Sequence, residues 1–272
     1  MTKSNEGIET AKLPITRSLT VVYTLSIVIA LLMCVTAVAG LLYQETVYPT
    51  EELRNWLVAN DIFNLVVGVP LLLVTMWLAR RGKLIGLLCW PGALFYVLYV
   101  YVAYVIGVPF GMLFVPHLVL ATMSGYTLMG LVASIEGQAV RKRLNGSVPA
   151  RTTGGILLVL AILIILRTVA LIGAAVTSQA PVAPPELAQW IDDFAVACPM
   201  LIIVGVELWR RKALGYVGGA GLLLAYGVLA LSLIPTMFAA SPIDLAGVVI
   251  VGVMAALCFV PFAFFVRGSI RP

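Results

Sequence analysis

The stretch PLLLVTMWLARRGKLIG at residues 70–86 joins an apolar run to a tight turn that carries two arginines and a lysine. A similar stretch, PMLIIVGVELWRRKALG, occupies residues 199–215. In both, a proline opens the apolar run, and a basic turn and a glycine close it. Apolar runs that end in Arg and Lys are typical of membrane-crossing helices whose cations stay in the cytoplasm. The two stretches therefore predict a polytopic membrane protein.

The composition of the whole chain agrees with this prediction. Of its 272 residues, 62% are hydrophobic and 11% are charged, whereas a soluble domain has about 45–50% apolar and about 25% charged residues. The mean hydropathy is +1.08. These values exclude a soluble enzyme, a nucleic-acid binder and a disordered chain. The expected fold is an all-α polytopic membrane protein, and a bacterial or archaeal plasma membrane is its expected location.

Apolar stretches long enough to cross a membrane, bounded by charges or by Pro and Gly, predict about eight spans. Residues 107–111, GVPFG, separate two of them, although a single kinked helix is the alternative there. The predicted spans are 17–43, 61–79, 83–107, 111–136, 153–177, 188–209, 213–237 and 242–266.

Charge predicts how these spans are oriented. With an even number of spans, all the segments rich in Lys and Arg fall on one face, which the positive-inside rule makes cytoplasmic together with both termini. The opposite face has Arg54 as its only clear cation, with Glu45, Glu51, Glu52 and Glu186. The cations predicted to be cytoplasmic are Lys3, Lys12, Arg17, Arg80, Arg81, Lys83, Arg141, Lys142, Arg143, Arg151, Arg210, Arg211, Lys212, Arg267 and Arg271.

The likeness of the two quoted stretches predicts an internal duplication. At one constant offset Pro70 aligns with Pro199, and Gly92 aligns with Gly221. Four helices in each copy is an even number, so both copies insert in the same direction and form a parallel repeat. The predicted units are an N-terminal cytoplasmic segment (1–16), a first repeat (17–140), a cytoplasmic linker (141–152), a second repeat (153–267) and a tail (268–272).

In the first unit an acidic outer loop precedes a second helix that passes from polar residues to a proline. From about Tyr48 to Gly107 this arrangement resembles the EXPERA unit of sterol isomerases and sigma-2-like receptors. The first helix lacks a clear acidic residue deep within it, so the resemblance assigns no residue role and no sterol activity to this chain.

Arg167 lies in the middle of the fifth predicted span. A guanidinium costs about 2.5–3.5 kcal/mol there on insertion scales, so we expect it to be sequestered with a carboxylate partner. The candidates are Asp61, Asp192 and Asp193, and Glu207 is less favoured because it lies near the basic turn. Such a pair either fixes the packing of the two repeats or forms part of a site for an anion or carboxylate ligand.

Other polar residues predict a site near Arg167. Asp61 and Asn64 share one helical face, and Asp193 aligns with Asn64 in the second repeat. These groups either mark the wet ends of their helices or line a vestibule that opens outward between the repeats.

The third span contributes a tyrosine face in which Tyr96 and Tyr99 lie deepest, while Tyr104 is expected at interfacial depth. This face is either a packed layer or part of the site. His117, the sole histidine, is either a satisfied interior side chain or a group that binds a ligand or moves a proton.

No resident cofactor or metal is indicated. The four cysteines lie in separate spans with no CxxC pair, and one histidine cannot form a His-rich metal site. The catalytic motifs for nucleotide, acyl-transfer and zinc-hydrolase chemistry are missing from the sequence. No catalytic residue is identified.

Three functions remain open. The favoured one is a transporter or a protein that binds a small apolar or amphipathic molecule, with a polar site between the repeats open toward the outer face. The alternatives are a membrane-embedded, isomerase-like enzyme that acts on lipids and uses His117, or a non-catalytic subunit or assembly factor. The bilayer is the expected partner, nucleic acid is not, and Gly-rich helix faces allow a homodimer.

Overall fold

The computed structural model describes residues 13–179, 181–234 and 245–270. Within these ranges the chain is helical, and its few remaining residues form turns and short connections. Among the described residues, seven helices are long and apolar enough to cross a membrane. The chain is therefore a multi-pass α-helical protein, as its composition predicts.

The first half contains helices α1 to α6, and π1 is a π-helical segment within one continuous helix. Their bounds are α1 Thr20–Leu42, α2 Gln44–Val47, α3 Glu51–Phe63, π1 Asn64–Gly68, α4 Val69–Arg80, α5 Leu84–Gly107 and α6 Phe114–Ala133. The second half has a second π-helical segment, π2. Its elements are α7 Gly137–Leu144, α8 Ala150–Ser178, α9 Pro184–Asp192, π2 Asp193–Ala197, α10 Cys198–Trp209, α11 Ala213–Ser232 and α12 Leu245–Ile270.

Within the described residues the predicted spans are recovered as helices, and two of these helices begin before the bounds predicted for their spans. The chain is already helical from Glu51 and from Pro184, not only from residues 61 and 188, because the amphipathic outer segments continue without a break into the apolar helices. The stretch formed by α9, π2 and α10 is not one of the seven candidate spans. The predicted break after Gly107 is confirmed, since α6 begins only at Phe114.

The ends of the chain are described only in part. The predicted N-terminal segment falls mostly on residues 1–12, outside the described ranges, and the predicted start of the last span at 242 also falls outside them. The predicted linker at 141–152 contains the end of α7 and the start of α8. Arg141, Lys142 and Arg143 form the last turn of α7, where cations interact favourably with the helix dipole.

In the continuous helices that run from α3 to α4 and from α9 to α10, a π-helical segment lies directly before a proline. In the first, π1 begins at Asn64, and Pro70 is the second residue after its end. In the second, π2 begins at Asp193 and Pro199 follows in the same way. Proline removes one backbone donor and clashes with the preceding turn, and a wider turn relieves that clash. π-Helical turns are often found at functional sites.

The basic turns after α4 and α10 each contain one residue in the left-handed backbone conformation. Gly82 has a φ of 75° and Arg211, its counterpart, has a φ of 55°. Glycine takes this left-handed conformation without strain, whereas a side chain there is disfavoured.

Helices α5 and α11 form the centre of the bundle and touch at glycines. A Cβ added at Gly92 would lie 2.1 Å from the carbonyl oxygen of Gly221, and one added at Gly221 would lie 2.7 Å from the nitrogen of Gly92. Farther along both helices, the rings of Phe95 and Tyr226 lie 5.8 Å apart. The two helices therefore run in the same direction from a close backbone crossing.

The two ends of the bundle are defined by contacts between its connections. At one end the N–H of Thr16 donates to the carbonyl of Ser134, and Gly137 lies against Ala213. At the other end Gly107 packs against the segment that opens α9, near Pro185. The first of these ends carries several of the basic segments that the sequence predicts to be cytoplasmic.

The Gly-rich face of α11 is used within the bundle. Gly215 contacts the backbone of Leu208, and Gly219 packs against Leu208 and Phe265. Gly252 of α12, by contrast, is open, with no atom within 4 Å of a Cβ placed there. These glycines of α11 therefore serve close helix packing inside the bundle.

Candidate ligand site

A cavity of about 420 Å³ lies in the half of the bundle remote from the basic turns. It is enclosed by α3 and α5 from the first half of the chain and by α8, α9, α11 and α12 from the second. Its walls are mainly apolar, with polar side chains in a minority. The polar or amphipathic residues that line it are Trp56, Asn60, Tyr99, Tyr104, Arg167, Gln189, Asp193, Tyr226 and Ser232.

Arg167 and Asp193 form the charged part of the cavity wall. The Arg167 Nη1 atom lies 4.0 Å from the Asp193 Oδ2 atom, at the outer limit of an ion pair. The Arg167 side chain is 54% exposed, whereas that of Asp193 is 6% exposed. The expected carboxylate partner is therefore present, but the guanidinium, which borders the cavity, is not sequestered as predicted.

Hydrogen bonds hold the Asp193 carboxylate in place. The Tyr99 hydroxyl donates to Oδ1 at 3.0 Å, and the Thr168 hydroxyl donates to Oδ2 at 3.3 Å. Asp193 is the first residue of π2, so the altered helical turn sets the direction of its side chain. Tyr99 comes from α5 and Thr168 from α8, so this carboxylate links three elements.

Asp192, the neighbour of Asp193, lies in a very different environment. Its side chain is fully buried, and within the described part of the chain neither carboxylate oxygen has a hydrogen-bond partner. The same holds for the hydroxyl of Tyr226, which lines the cavity. Two unsatisfied polar groups therefore lie close to the charged cavity wall.

Asp61 belongs to a separate polar cluster. The hydroxyl of Tyr48 donates to its Oδ2 atom at 2.7 Å, and the hydroxyl of Tyr104 donates to its Oδ1 atom at 2.9 Å. Burial, and next the Asp61 carboxylate, raise the pKa of Tyr48, which keeps this hydroxyl protonated as a donor. Asp61 does not line the cavity, but Tyr104 does, so Asp61 reaches the cavity only through that tyrosine. The Tyr104 side chain is buried and satisfies Asp61.

Asn64 and Tyr96 form a third buried pair. The Tyr96 hydroxyl donates to the Asn64 Oδ1 atom at 2.7 Å. Neither residue lines the cavity. Asn64 opens π1 as Asp193 opens π2, so at this shared position the first half has a neutral amide and the second a carboxylate.

His117 packs against aromatic rings. Its ring centroid lies 5.0 Å from that of Tyr104 in an edge-on arrangement and 5.6 Å from that of Tyr101. The side chain is buried and does not line the cavity. Among the residues that the structure describes, its ring has no hydrogen bond to a carboxylate.

The structure thus brings together Arg167, Asp193 and Tyr99 from the predicted set, with Asp192 directly behind them. It places Asp61, Asn64, Tyr96 and His117 in the interior, away from the cavity surface. Residues not predicted for the site include Thr168, Tyr226, Asn60 and Gln189. Asn60 and Gln189 lie at the same sequence offset that aligns Asn64 with Asp193.

Comparisons with known proteins give no family model that matches this chain, no similar curated protein and no similar solved structure. The resemblance to the EXPERA unit therefore has no support from a family match.

Proposed function

We propose that this chain is a membrane protein that binds a small amphipathic molecule with an anionic headgroup in the cavity between its two halves. The observation that carries the proposal is the Arg167 guanidinium, which borders a mainly apolar cavity at membrane depth with its side chain 54% exposed. An ionisable group in such a position is a candidate functional group by default.

The chemistry of Arg167 favours an anionic group. Arginine has five N–H donors in a planar fork that matches carboxylate, sulfonate and phosphate oxygens. Within the described part of the chain the guanidinium has one ionic contact, the loose one to Asp193. Asp193 is already satisfied by Tyr99 and Thr168. The donors of Arg167 are therefore free to bind a ligand oxygen.

The rest of the cavity favours an apolar tail. The surfaces contributed by Val100, Ala103, Ile164, Ile250 and Met254 carry no polar side-chain atom other than a thioether. A cavity of about 420 Å³ falls within the usual size range for small-molecule sites. Headgroup recognition at one wall and apolar burial along the others is the arrangement that an amphipathic ligand requires.

The duplication is part of this proposal. It is supported by the two π-helical segments, the two left-handed turns and the contact between the aligned glycines Gly92 and Gly221. Aligned residues touch each other when they lie on a pseudo-two-fold axis, and the parallel course of α5 and α11 fits two halves that insert in the same direction. A cavity between such halves opens on the outer side, away from the basic turns.

Ligand binding is tested with three probes that share one chain and differ in headgroup. Decanesulfonate, decanol and decyltrimethylammonium are measured by equilibrium dialysis against the protein in lipid nanodiscs, with empty nanodiscs as background. We expect saturable binding that is tightest for the sulfonate.

Two variants locate the binding site. Ala103→Phe fills the cavity and is expected to abolish saturable binding, whereas Ala170→Phe, on an exposed face of the same bundle, leaves binding unchanged. Binding of decanesulfonate that survives Ala103→Phe, or tighter binding of the ammonium probe, would contradict the proposal.

The membrane orientation is tested separately by thiol labelling in intact cells. A cysteine at Glu186 is expected to react with an impermeant maleimide, and a cysteine at Asn145 is expected to react only after the membrane is opened. The unsubstituted protein is the control for its native cysteines. The reverse labelling pattern would contradict cytoplasmic basic loops.

The alternatives are less well supported. An enzyme that pairs His117 with an acid needs both groups in one cavity, and His117 packs against Tyr101 and Tyr104 away from the cavity surface. A non-catalytic subunit needs a large apolar Gly-rich face, and in α11 such a face is already used inside the bundle.

A further inference from the structure

Asp192 is the one described carboxylate that is fully buried and has no hydrogen-bond donor on either oxygen. It lies one helical turn after Ala188, whose Cβ would be 3.1 Å from a Cβ at Gly107. Residues four apart lie on the same face of a helix. Asp192 therefore points from α9 toward α5, into protein and not into lipid.

The groups around Asp192 offer its carboxylate no compensation. On its own helix Asp193 is a like charge, and from α5 and α11 the hydroxyls of Tyr99 and Tyr226 lie within electrostatic range. The Tyr99 hydroxyl is committed to Asp193, and the Tyr226 hydroxyl has no partner.

The remaining neighbouring helices add no donor to Asp192 either. The one cation on α8 near this acidic pair is Arg167, whose ionic contact is with Asp193. On α10 the Cys198 thiol donates to the carbonyl of Ala161 at 3.8 Å.

An ionised carboxylate in this environment would be a buried charge without a partner, which is strongly unfavourable. Two adjacent carboxylates that share one cation do not both ionise readily, so one of them holds a proton. Asp193 has two hydroxyl donors and the guanidinium, all of which stabilise its charged form. The proton therefore resides on Asp192.

We infer that Asp192 is a proton-binding site coupled to the ligand site, and that an anionic headgroup binds Arg167 in the state in which Asp192 is protonated. This inference rests on the proposed function. With Asp192 protonated, the charges of Asp193 and Arg167 balance, and an incoming anion adds one negative charge. With Asp192 ionised, the same anion approaches a cavity wall that already carries a net negative charge, because two carboxylates then face one guanidinium. Protonation thus favours anion binding.

The sign of the pH dependence follows from this coupling. Affinity for an anion is highest at low pH, where Asp192 is protonated. It falls by up to about tenfold for each unit of pH above the titration of Asp192, because one proton is linked to binding. Asn has the shape of the protonated acid without its charge, so Asp192→Asn is expected to bind with the low-pH affinity of the original protein at every pH.

The test measures decanesulfonate binding between about pH 5.5 and 9 in nanodiscs. The sulfonate keeps its charge throughout, so only the protein titrates. Decanol is the uncharged reference and is expected to bind with little pH dependence. Glu207→Gln, which removes a half-buried carboxylate paired with Lys212, is the matched control and is expected to keep the pH dependence of the original protein.

A second measurement needs no ligand. The infrared spectrum at about pH 7 is expected to contain a buried carboxylic-acid C=O band that disappears in Asp192→Asn and persists in Glu207→Gln. Absence of any such difference would overturn the proton site whether or not a ligand binds.

The outcomes separate the two proposals. Binding that depends on Ala103 but does not vary with pH, or that keeps its pH dependence in Asp192→Asn, overturns the proton coupling and leaves the ligand site intact. If no probe binds saturably, the proposed ligand site fails, and the infrared band alone decides whether Asp192 carries a proton.

Discussion

The crossing of α5 and α11 at Gly92 and Gly221 is a direct backbone contact between the two central helices of the bundle. Replacement of Gly92 by alanine would place a Cβ 2.1 Å from the carbonyl oxygen of Gly221. Carbon and oxygen atoms in close helix contacts lie about 3.3–3.6 Å apart. The two central helices would therefore have to separate by roughly 1 Å at their crossing.

The expected cost is set by two opposing effects. Overpacking of a tight interior costs about 1–3 kcal/mol, and separation of the helices also weakens the dispersion contacts along them. Alanine recovers about 1 kcal/mol of helix propensity relative to glycine. We expect Gly92→Ala to lower the free energy of unfolding by about 2 kcal/mol, a net effect of both.

The assay is thermal unfolding in detergent, followed by reaction of a fluorescent maleimide with the buried thiols. Cys89 is buried one turn before Gly92, so its reaction reports separation of α5 from its neighbours. Gly252→Ala is the matched control, because no atom lies within 4 Å of a Cβ there, and it is expected to leave the unfolding temperature unchanged or raise it slightly.

Gly221→Ala disrupts the same contact as Gly92→Ala, so the double variant is expected to lose less stability than the sum of the two single losses. Equal unfolding temperatures for Gly92→Ala and Gly252→Ala would refute a backbone crossing at this position. Additive losses in the double variant would refute a direct contact between the two glycines.

Two further predictions concern stability. Tyr48→Phe removes one of the two donors to the buried Asp61 carboxylate, so we expect the free energy of unfolding to fall by about 1.5–3 kcal/mol in the same assay. Tyr43→Phe, at an exposed position, is the control and is expected to change stability little. Similar unfolding temperatures for the two variants would show that the hydrogen bond from Tyr48 contributes nothing. Arg211→Gly relieves the strain of a left-handed backbone conformation and is expected to stabilise the protein by about 1 kcal/mol. Gly82→Arg in the aligned turn is expected to destabilise it by a similar amount. A change of the same sign in both variants would contradict backbone strain at Arg211.

The helices could be predicted from the sequence because the pattern that specifies them is local. Long apolar runs and the basic turns at Arg80 and Arg210 define where helices cross and end. The outer helix starts at Glu51 and Pro184 follow from the proline and acidic residues found there, which suit the first turn of a helix. Their continuity with the apolar helices depends on tertiary packing.

For the candidate site, the sequence indicated the cation at membrane depth but not which acid and which tyrosine lie beside it. The cost of placing a guanidinium within a membrane identifies Arg167 and requires a nearby carboxylate, but three aspartates satisfied that requirement equally in the sequence. The choice of Asp193 depends on the π-helical turn that it opens and on donors from α5 and α8. The sequence also gave no means to separate Tyr99, which borders the cavity, from Tyr96, which bonds Asn64 in the interior.

The central claim is that Arg167 binds the anionic headgroup, and it is tested most directly by replacing this side chain. A charged hydrogen bond contributes about 1.5–3 kcal/mol, so Arg167→Met is expected to weaken decanesulfonate binding by about 10- to 100-fold. The same variant is expected to leave decanol binding unchanged. Arg167→Lys is expected to bind decanesulfonate with an affinity between those of the original protein and Arg167→Met. If Arg167→Met weakened both probes equally, or neither, the guanidinium would not be the headgroup site.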